Sequence, residues 1–489
     1  MKKHLHAALA KLLICALPLL VPAAAVGLEL SYTVTLEDLA SRTLHIELII
    51  ADWQQHELRL HGVPSYMDNP TAAARGSVCR DLSVARADGH QLAVRDTTGD
   101  DGEPVFLVSE ALGIVRVTYD LVVDFISSKQ SESYPIMLPF MDQERAWLYG
   151  NYVFCYPELA SRKPRGARVP VRIRVNFSLP GNIPLVGPPG NQVELNNLHE
   201  LMSLQFGLGA FQVERNVVAG IPVRIITPEE SSFSPAERVW LMQRTSDIVK
   251  TVTGIFSGTP YPAMSFFYFR GEGIGGLEGA YTCQAYVPEE VDLSNGENRK
   301  RTTFAMTALH EFFHTWNPIG LFARDDPWFK EGVTTYYGIV LSYRLGWLKT
   351  DSWVEWQGYY TKLLADNPLF KEVALSDPRI WDHEYDSENW RTLTYDRGLA
   401  VTLLLDVRIR EATDNRKSLD SVLPLLFQRY LHNSFSRADL LAAIHKATGF
   451  DATDFFAGYV ESITPPSAEE VAAGLARAKE LKVFAPLNP

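Results

Sequence analysis

His310 and His314 stand four residues apart with Glu311 between them, in the run Thr302-Thr-Phe-Ala-Met-Thr-Ala-Leu-His-Glu-Phe-Phe-His314. If this run is helical, the i, i+4 spacing puts both imidazoles on one face, where they can share a tetrahedral Zn2+. Glu311 then lies beside the metal and can take a proton from a water that the metal acidifies, which is the chemistry of metal-assisted hydrolysis. The plain alternative is a helix with two incidental histidines. Glu331, in Trp328-Phe-Lys-Glu-Gly-Val-Thr-Thr-Tyr-Tyr337, weighs against it. A second helix there would bring a carboxylate as third ligand and leave the fourth position open, as a catalytic zinc site requires. Thr335, one turn on, is a candidate hydrogen-bond partner behind the ligands.

Two further segments carry polar groups worth weighing. Gly271-Glu-Gly-Ile-Gly-Gly276-Leu-Glu278-Gly279 formally contains GxGxxG after a strand-like run. The next residues, Ala280-Tyr-Thr-Cys-Gln-Ala-Tyr-Val287, read as extended. No helix N-terminus is there to receive a pyrophosphate, and a dinucleotide site is set aside. The better reading is an exposed strand edge whose glycines let a substrate backbone approach, with Glu278 projecting into the cleft. Downstream, Tyr395-Asp-Arg-Gly398 opens an apolar helical stretch from Leu399 to Ile409. A tyrosine there could donate a hydrogen bond to a tetrahedral oxyanion; an ordinary surface tyrosine is the alternative.

The elements that must position these groups divide the chain. Length (489 residues) calls for two or three domains. From Leu28 to about Ile225, β-rich runs such as Leu44-His-Ile-Glu-Leu-Ile-Ile50 alternate apolar and polar residues between Gly/Pro/Asn/Asp turns. Ser234-Pro-Ala-Glu237 is a capping box that opens a helix toward Ile255, and Ser436-x-x-Asp439 and Ser467-x-x-Glu470 mark later helix starts. The reading is an N-terminal all-β, sandwich-like domain (26–225), a thermolysin-like α/β subdomain (226–345) and an α-helical C-terminal subdomain (346–489). Residues 1–25 read as a signal peptide: Lys2, Lys3 and Lys11, then an apolar run to Val21, then Ala23-Ala24-Ala25. Cys15 lies too early, after a bulky isoleucine, for lipidation. Export to the periplasm or beyond the cell is expected, with no stable membrane insertion. The net charge of −12 and the lack of a basic cluster exclude nucleic acid as a partner. Cys79 and Cys155 fall in the same β domain, so a disulfide between them and free buried thiols are equally open.

Together, HEFFHTWNP, WFKEGVTTYY, GGLEG and YDRGLAVTLLLDVRIRE resemble the glycyl-aminopeptidase family of gluzincins, distant relatives of aminopeptidase N, in order and spacing. Gly150-Asn-Tyr-Val-Phe resembles that family's first domain, and the likeness runs over roughly residues 28–475. The resemblance implies that His310, His314 and Glu331 bind one Zn2+ and that Glu311 is the general base and then the proton shuttle to the leaving amine. It further implies that Glu278 binds the free α-amino group of a peptide, that Gly275 and Gly276 line the substrate strand, and that Tyr395 stabilises the oxyanion. The chain departs from that family in carrying Gly279 where histidine is usual, Arg397 where relatives often carry lysine, and a short path from His314 to Glu331. The family's usual C-terminal PDZ domain is expected to be lacking. Three functions are expected in turn: an exported zinc aminopeptidase acting on peptides with small N-terminal residues, an endopeptidase on the same scaffold, or an exported binding protein without catalysis. The oligomeric state is left open.

Overall fold

A computed structural model describes residues 28–486, apart from 64–76, 100–103, 124–138, 160–168, 229–232, 272, 296–297, 350–351 and 385. The proposed signal peptide lies outside the described residues.

The alternation read in the N-terminal half does build strands that bury one face. Glu29–Leu36 alternates partly and fully buried residues along its length, so Leu30, Tyr32, Val34 and Leu36 enter the core. It lies inside a six-stranded sheet, between Arg172–Ser178, which runs parallel to it, and the antiparallel Thr43–Trp53. Two four-stranded sheets complete this β unit; the one nearer the site contains Arg145–Tyr149 paired with Gln205–Gly209. Cys79 and Cys155 are free thiols placed side by side, with Cys155 buried and hydrogen-bonded to Cys79; Cys283 is free as well.

A mixed five-stranded sheet comes next, in the order Phe211–Val218, Ile221–Pro228, Met264–Gly271, Thr282–Pro288, Gly275–Glu278. Phe211–Val218 and Ile221–Pro228 thus pair into the sheet that carries the site rather than into the N-terminal sheets. The glycine-rich segment becomes its short edge strand, antiparallel to Thr282–Pro288, and no helix follows it. The capping box at Ser234 forms as read: its hydroxyl accepts the Glu237 N–H while the Glu237 carboxylate accepts the Ser234 N–H, and the helix runs Pro235–Phe256. Ser436 and Ser467 cap Arg437–Thr448 and Ala468–Glu480 in the same way.

The C-terminal part is helical, and Arg397 ties it together. This side chain is fully buried. Its Nη1 donates to the carbonyls of Phe370 and Val373, and its Nη2 to those of Tyr459, Ser462 and Thr464, at 2.8–3.3 Å. Burial without a carboxylate partner pulls its pKa down to about 10. A lysine ammonium has three donors and no planar fork, so it could not serve all these carbonyls. Arg397→Met should lower stability by about 2–4 kcal/mol, because buried carbonyls lose their donor. Equilibrium urea unfolding reads this; unchanged stability would mean that the carbonyls find other partners.

Candidate active site

The candidate metal ligands come from two packed helical segments. The helix Arg299–Phe313 starts at Asn298, whose side chain accepts the Lys300 N–H. It buries Phe304, Ala305, Ala308, Leu309, Phe312 and Phe313, and this leaves His310 and Glu311 partly accessible on its other side. His314 is the C-cap residue. The chain then loops back through Thr315–Gly320 and returns in the turn Phe329–Val333, which places Glu331 in front of the helix Thr334–Arg344.

Three donor atoms converge. His310 Nε2 and His314 Nε2 are 3.0 Å apart, and Glu331 Oε2 is 3.3 Å from each. With zinc–ligand bonds of about 2.0–2.1 Å, donors on a tetrahedron sit roughly 3.3 Å apart, so the donor set fits Zn2+ in both chemistry and spacing. Among the described residues this is the one cluster of three or more His, Cys, Asp or Glu with such convergence. His314 Nδ1 lies 2.7 Å from the Asn317 carbonyl. Donation there reserves the Nε2 lone pair for the metal.

Asn317 also joins the two segments. Its side-chain amide donates to the Phe329 and Lys330 carbonyls at 2.9 and 3.3 Å and to the Thr334 hydroxyl at 3.2 Å. Thr334, and not Thr335, is therefore the threonine behind the ligands. The Thr335 hydroxyl is buried and meets no hydrogen-bond partner among the described residues. The two lie on adjacent helical positions, about 100° apart around the axis, and only one direction faces Asn317.

Electrostatics here reflect acids crowded into a desolvated space. Burial pushes Glu311 up to about 8, with Glu278 and Glu331 adding to the rise against His314 and Lys330. Burial lowers His310. Burial acts the same way on His314, but Glu331 outweighs it and raises His314 to about 9. Glu331 itself is held well below the usual carboxylate range: burial opposes this, and Lys330 and His314 overcome it.

The edge strand brings the remaining predicted residues to the same place. A Cβ at Gly276 would collide with Glu311 Cγ and come within 2.6 Å of the Gln284 carbonyl, so the strand approaches Glu311 only because that position is glycine. A Cβ at Gly275 would meet the Tyr286 hydroxyl at 2.5 Å. Glu278 ends the strand, and its Oε1 lies 3.7 Å from Lys330 Nζ. Burial would raise the Glu278 pKa, but Lys330 and His314, with a backbone hydrogen bond, together overcome it and lower it. Tyr395 lies in the turn Leu393–Arg397 with its ring stacked on His310, centroids 5.9 Å apart. Gly332 and Gly398 let the turns of Glu331 and Tyr395 touch backbone to backbone; a Cβ on Gly332 would fall 2.7 Å from Gly398 Cα.

Sequence reasoning missed four contributors besides Asn317. Gln205, from the N-terminal β unit, donates to the Leu277 and Glu278 carbonyls at 3.0 and 2.9 Å and so fixes the end of the edge strand. Tyr149, from the same sheet, stands within electrostatic reach of Glu278, Lys330 and Glu311. Lys330 and Glu384 complete a cluster with Glu278 and Glu331. Burial pushes Glu384 up to about 7, with Lys330 opposing the rise. Of these four, only Lys330 carried a signal: it directly precedes a metal-ligand candidate.

No known family profile and no curated protein matches the chain. Solved structures do. An aminopeptidase N family protein from Idiomarina loihiensis superposes with a TM-score of 0.66 at 16% identity, covering 91% of this chain and 78% of that one. An M1 zinc metallopeptidase from Deinococcus radiodurans gives 0.57 at 13% identity over 90% and 95% of the two chains. Legionella pneumophila aminopeptidase A, in complex with aspartic acid, gives 0.57 at 12% identity over 89% of this chain and 49% of that one. At these identities the likeness establishes the fold: a multi-sheet N-terminal β domain, a thermolysin-like α/β unit and a helical C-terminal part.

Metal uptake must displace the proton that His314 holds up to about pH 9 in the metal-free protein. Zinc affinity should therefore rise as pH is raised toward 9, with proton release, and Glu331→Gln should weaken binding by more than about 100-fold. Competition against a chromophoric chelator measures both. A pH-independent affinity would contradict this assignment.

Proposed function

We propose that the protein is an exported zinc aminopeptidase that hydrolyses the first peptide bond of peptides with small N-terminal residues such as glycine or alanine. The observation that carries this reading is Glu278. A carboxylate with 19% side-chain exposure ends an edge strand that runs directly past the base Glu311. An endopeptidase cleft has no use for an anion where the chain must continue, whereas a free α-ammonium gains a charge-assisted hydrogen bond there. His310, His314 and Glu331 would hold the zinc, which supplies Lewis acidity to the scissile carbonyl and to water.

The chain's own residues do the rest. The Gly275–Glu278 edge receives the substrate backbone, with Gly275 and Gly276 leaving room for it. Glu278 anchors the α-ammonium and so sets which bond lies over the site. Glu311, desolvated and therefore more basic than an exposed carboxylate, takes the proton from the attacking water and delivers it to the leaving amine. Tyr395, fixed against His310, donates a hydrogen bond to the developing oxyanion.

Several observations support the finer points. An M1 zinc metallopeptidase E323A mutant from Deinococcus radiodurans has been solved bound to a Tyr-Ser-Ala substrate, which supports peptides as the substrate class. The charged groups Lys330 and Glu384 and the phenol of Tyr149 crowd the space beside Glu278 and disfavour a large apolar first side chain. Export rests on the basic, apolar and small-residue pattern of residues 1–25.

A panel of aminoacyl amides and their N-acetyl counterparts tests the reading. Glycyl and alanyl amides should be cleaved and the acetylated forms should not; equal rates on both would point to an endopeptidase. Glu311→Gln should retain zinc and lose activity by about 100-fold or more. Full activity in that variant would remove Glu311 from the mechanism.

A further inference from the structure

Two thiols remote from the candidate metal ligands in sequence meet in the core of the N-terminal β unit. Cys79 lies on Ser77–Arg86, the strand at one end of the six-stranded sheet, directly opposite Leu121 of Gly113–Val123. Residues opposite each other on paired strands share a face, and Leu121 is fully buried, so Cys79 turns its thiol to the core. Tyr119, two residues before Leu121, is buried on the same face. Its hydroxyl accepts the Cys155 N–H at 2.9 Å and donates to the Val153 carbonyl at 2.9 Å. Tyr32, from Glu29–Leu36, donates its hydroxyl to the Cys155 carbonyl, also at 2.9 Å. Buried tyrosines from two strands thus pin both backbone polar groups of Cys155 over this face. The thiol they present is fully buried and hydrogen-bonded to Cys79.

The two sulfurs differ in access. Cys79 is half-buried, whereas Cys155 is closed off from solvent. The hydrogen bond to Cys79, with burial added, holds the Cys155 thiol well above its ordinary pKa. Cys79 is therefore the sulfur that a reagent meets first, and Cys155 waits behind it. Cys283 belongs to the other sheet, in register with Phe266 and Glu278, and lies outside this pair.

We propose that Cys79 and Cys155 form a disulfide site, closed by thiol–disulfide exchange with an external disulfide RS–SR. The Cys79 thiolate attacks RS–SR, forms a mixed disulfide and releases one RS−. The Cys155 thiolate then attacks Cys79 Sγ and expels the second RS−. The two protein thiols give up two protons and two electrons, and RS–SR becomes two RSH. The sulfurs start in hydrogen-bond contact, so the second step joins neighbours. The bond ties the start of Ser77–Arg86, before its register break between Arg80 and Ser83, to the segment that follows Arg145–Tyr149. A cross-link that closes so long a loop stabilises chiefly by restricting the unfolded chain. The site is independent of the peptidase reading; its closure in the cell follows from export to an oxidising compartment.

The test exposes the folded, reduced protein to oxidised glutathione at mildly alkaline pH. The protein is then unfolded in guanidinium with iodoacetamide, digested and mapped by mass. A peptide linking Cys79 to Cys155 should appear, with Cys283 alkylated. Cys155→Ser should instead carry glutathione on Cys79, because the resolving sulfur is gone. Cys79→Ser should leave Cys155 free to be alkylated. The parent map decides even where a variant fails to fold. Alkylation of both Cys79 and Cys155, arrest at a Cys79–glutathione adduct in the parent, or a linkage that includes Cys283 overturns the proposal. The oxidised parent should also melt at least about 5 °C above the reduced protein, a difference that should vanish in Cys79→Ser. An oxidised parent that melts no higher overturns the stabilising role of the bond.

Discussion

Asn317 connects the two halves of the candidate metal site. Its carbonyl fixes the His314 ring, and its side-chain amide holds the turn that carries Lys330 and Glu331. A helix can align His310 and His314 by itself, because they share its face. It cannot bring in a carboxylate from beyond a loop. That third donor comes within 3.3 Å of both imidazoles because one buried amide links the loop after the first helix to the start of the second. The backbone contact of Gly332 with Gly398 extends the same rigid frame to Tyr395.

The N-terminal β unit is part of this frame and not merely an attached domain. Gln205 grips the end of the edge strand, and Tyr281 Oη donates to the Glu194 carbonyl at 2.9 Å. Glu200 Oε1 lies 2.7 Å from His432 Nδ1, which ties the β unit to the helical part as well. The end of the edge strand that carries Glu278 is thus held by the β unit as well as by its own sheet.

Crowding Glu278, Glu311, Glu331 and Glu384 into one desolvated space is unfavourable without cations. Lys330 offsets part of the repulsion. The raised position of Glu311 is the visible result: the same burial that strains the site also makes this carboxylate a better base. Stability and function are therefore opposed here. Arg397 shows how the scaffold compensates, by satisfying buried carbonyls of the helical part.

What the sequence determined by itself is local. The i, i+4 histidines, the base between them, the carboxylate in WFKEG, the serine capping boxes and the alternating strands all come from residue type and spacing within one element, where chain geometry is fixed by helix and strand periodicity. The strand reading of the glycine-rich segment came from the same source. Tertiary structure alone decided that Phe211–Pro228 joins the sheet carrying the site, that Thr334 rather than Thr335 backs the candidate ligands, that Gln205 grips the end of the edge strand and that Glu384 reaches Lys330. These depend on which faces of separate elements meet. Periodicity tells each element which face it buries, but the partner of that face is chosen by packing among residues far apart in sequence, and no spacing rule records it.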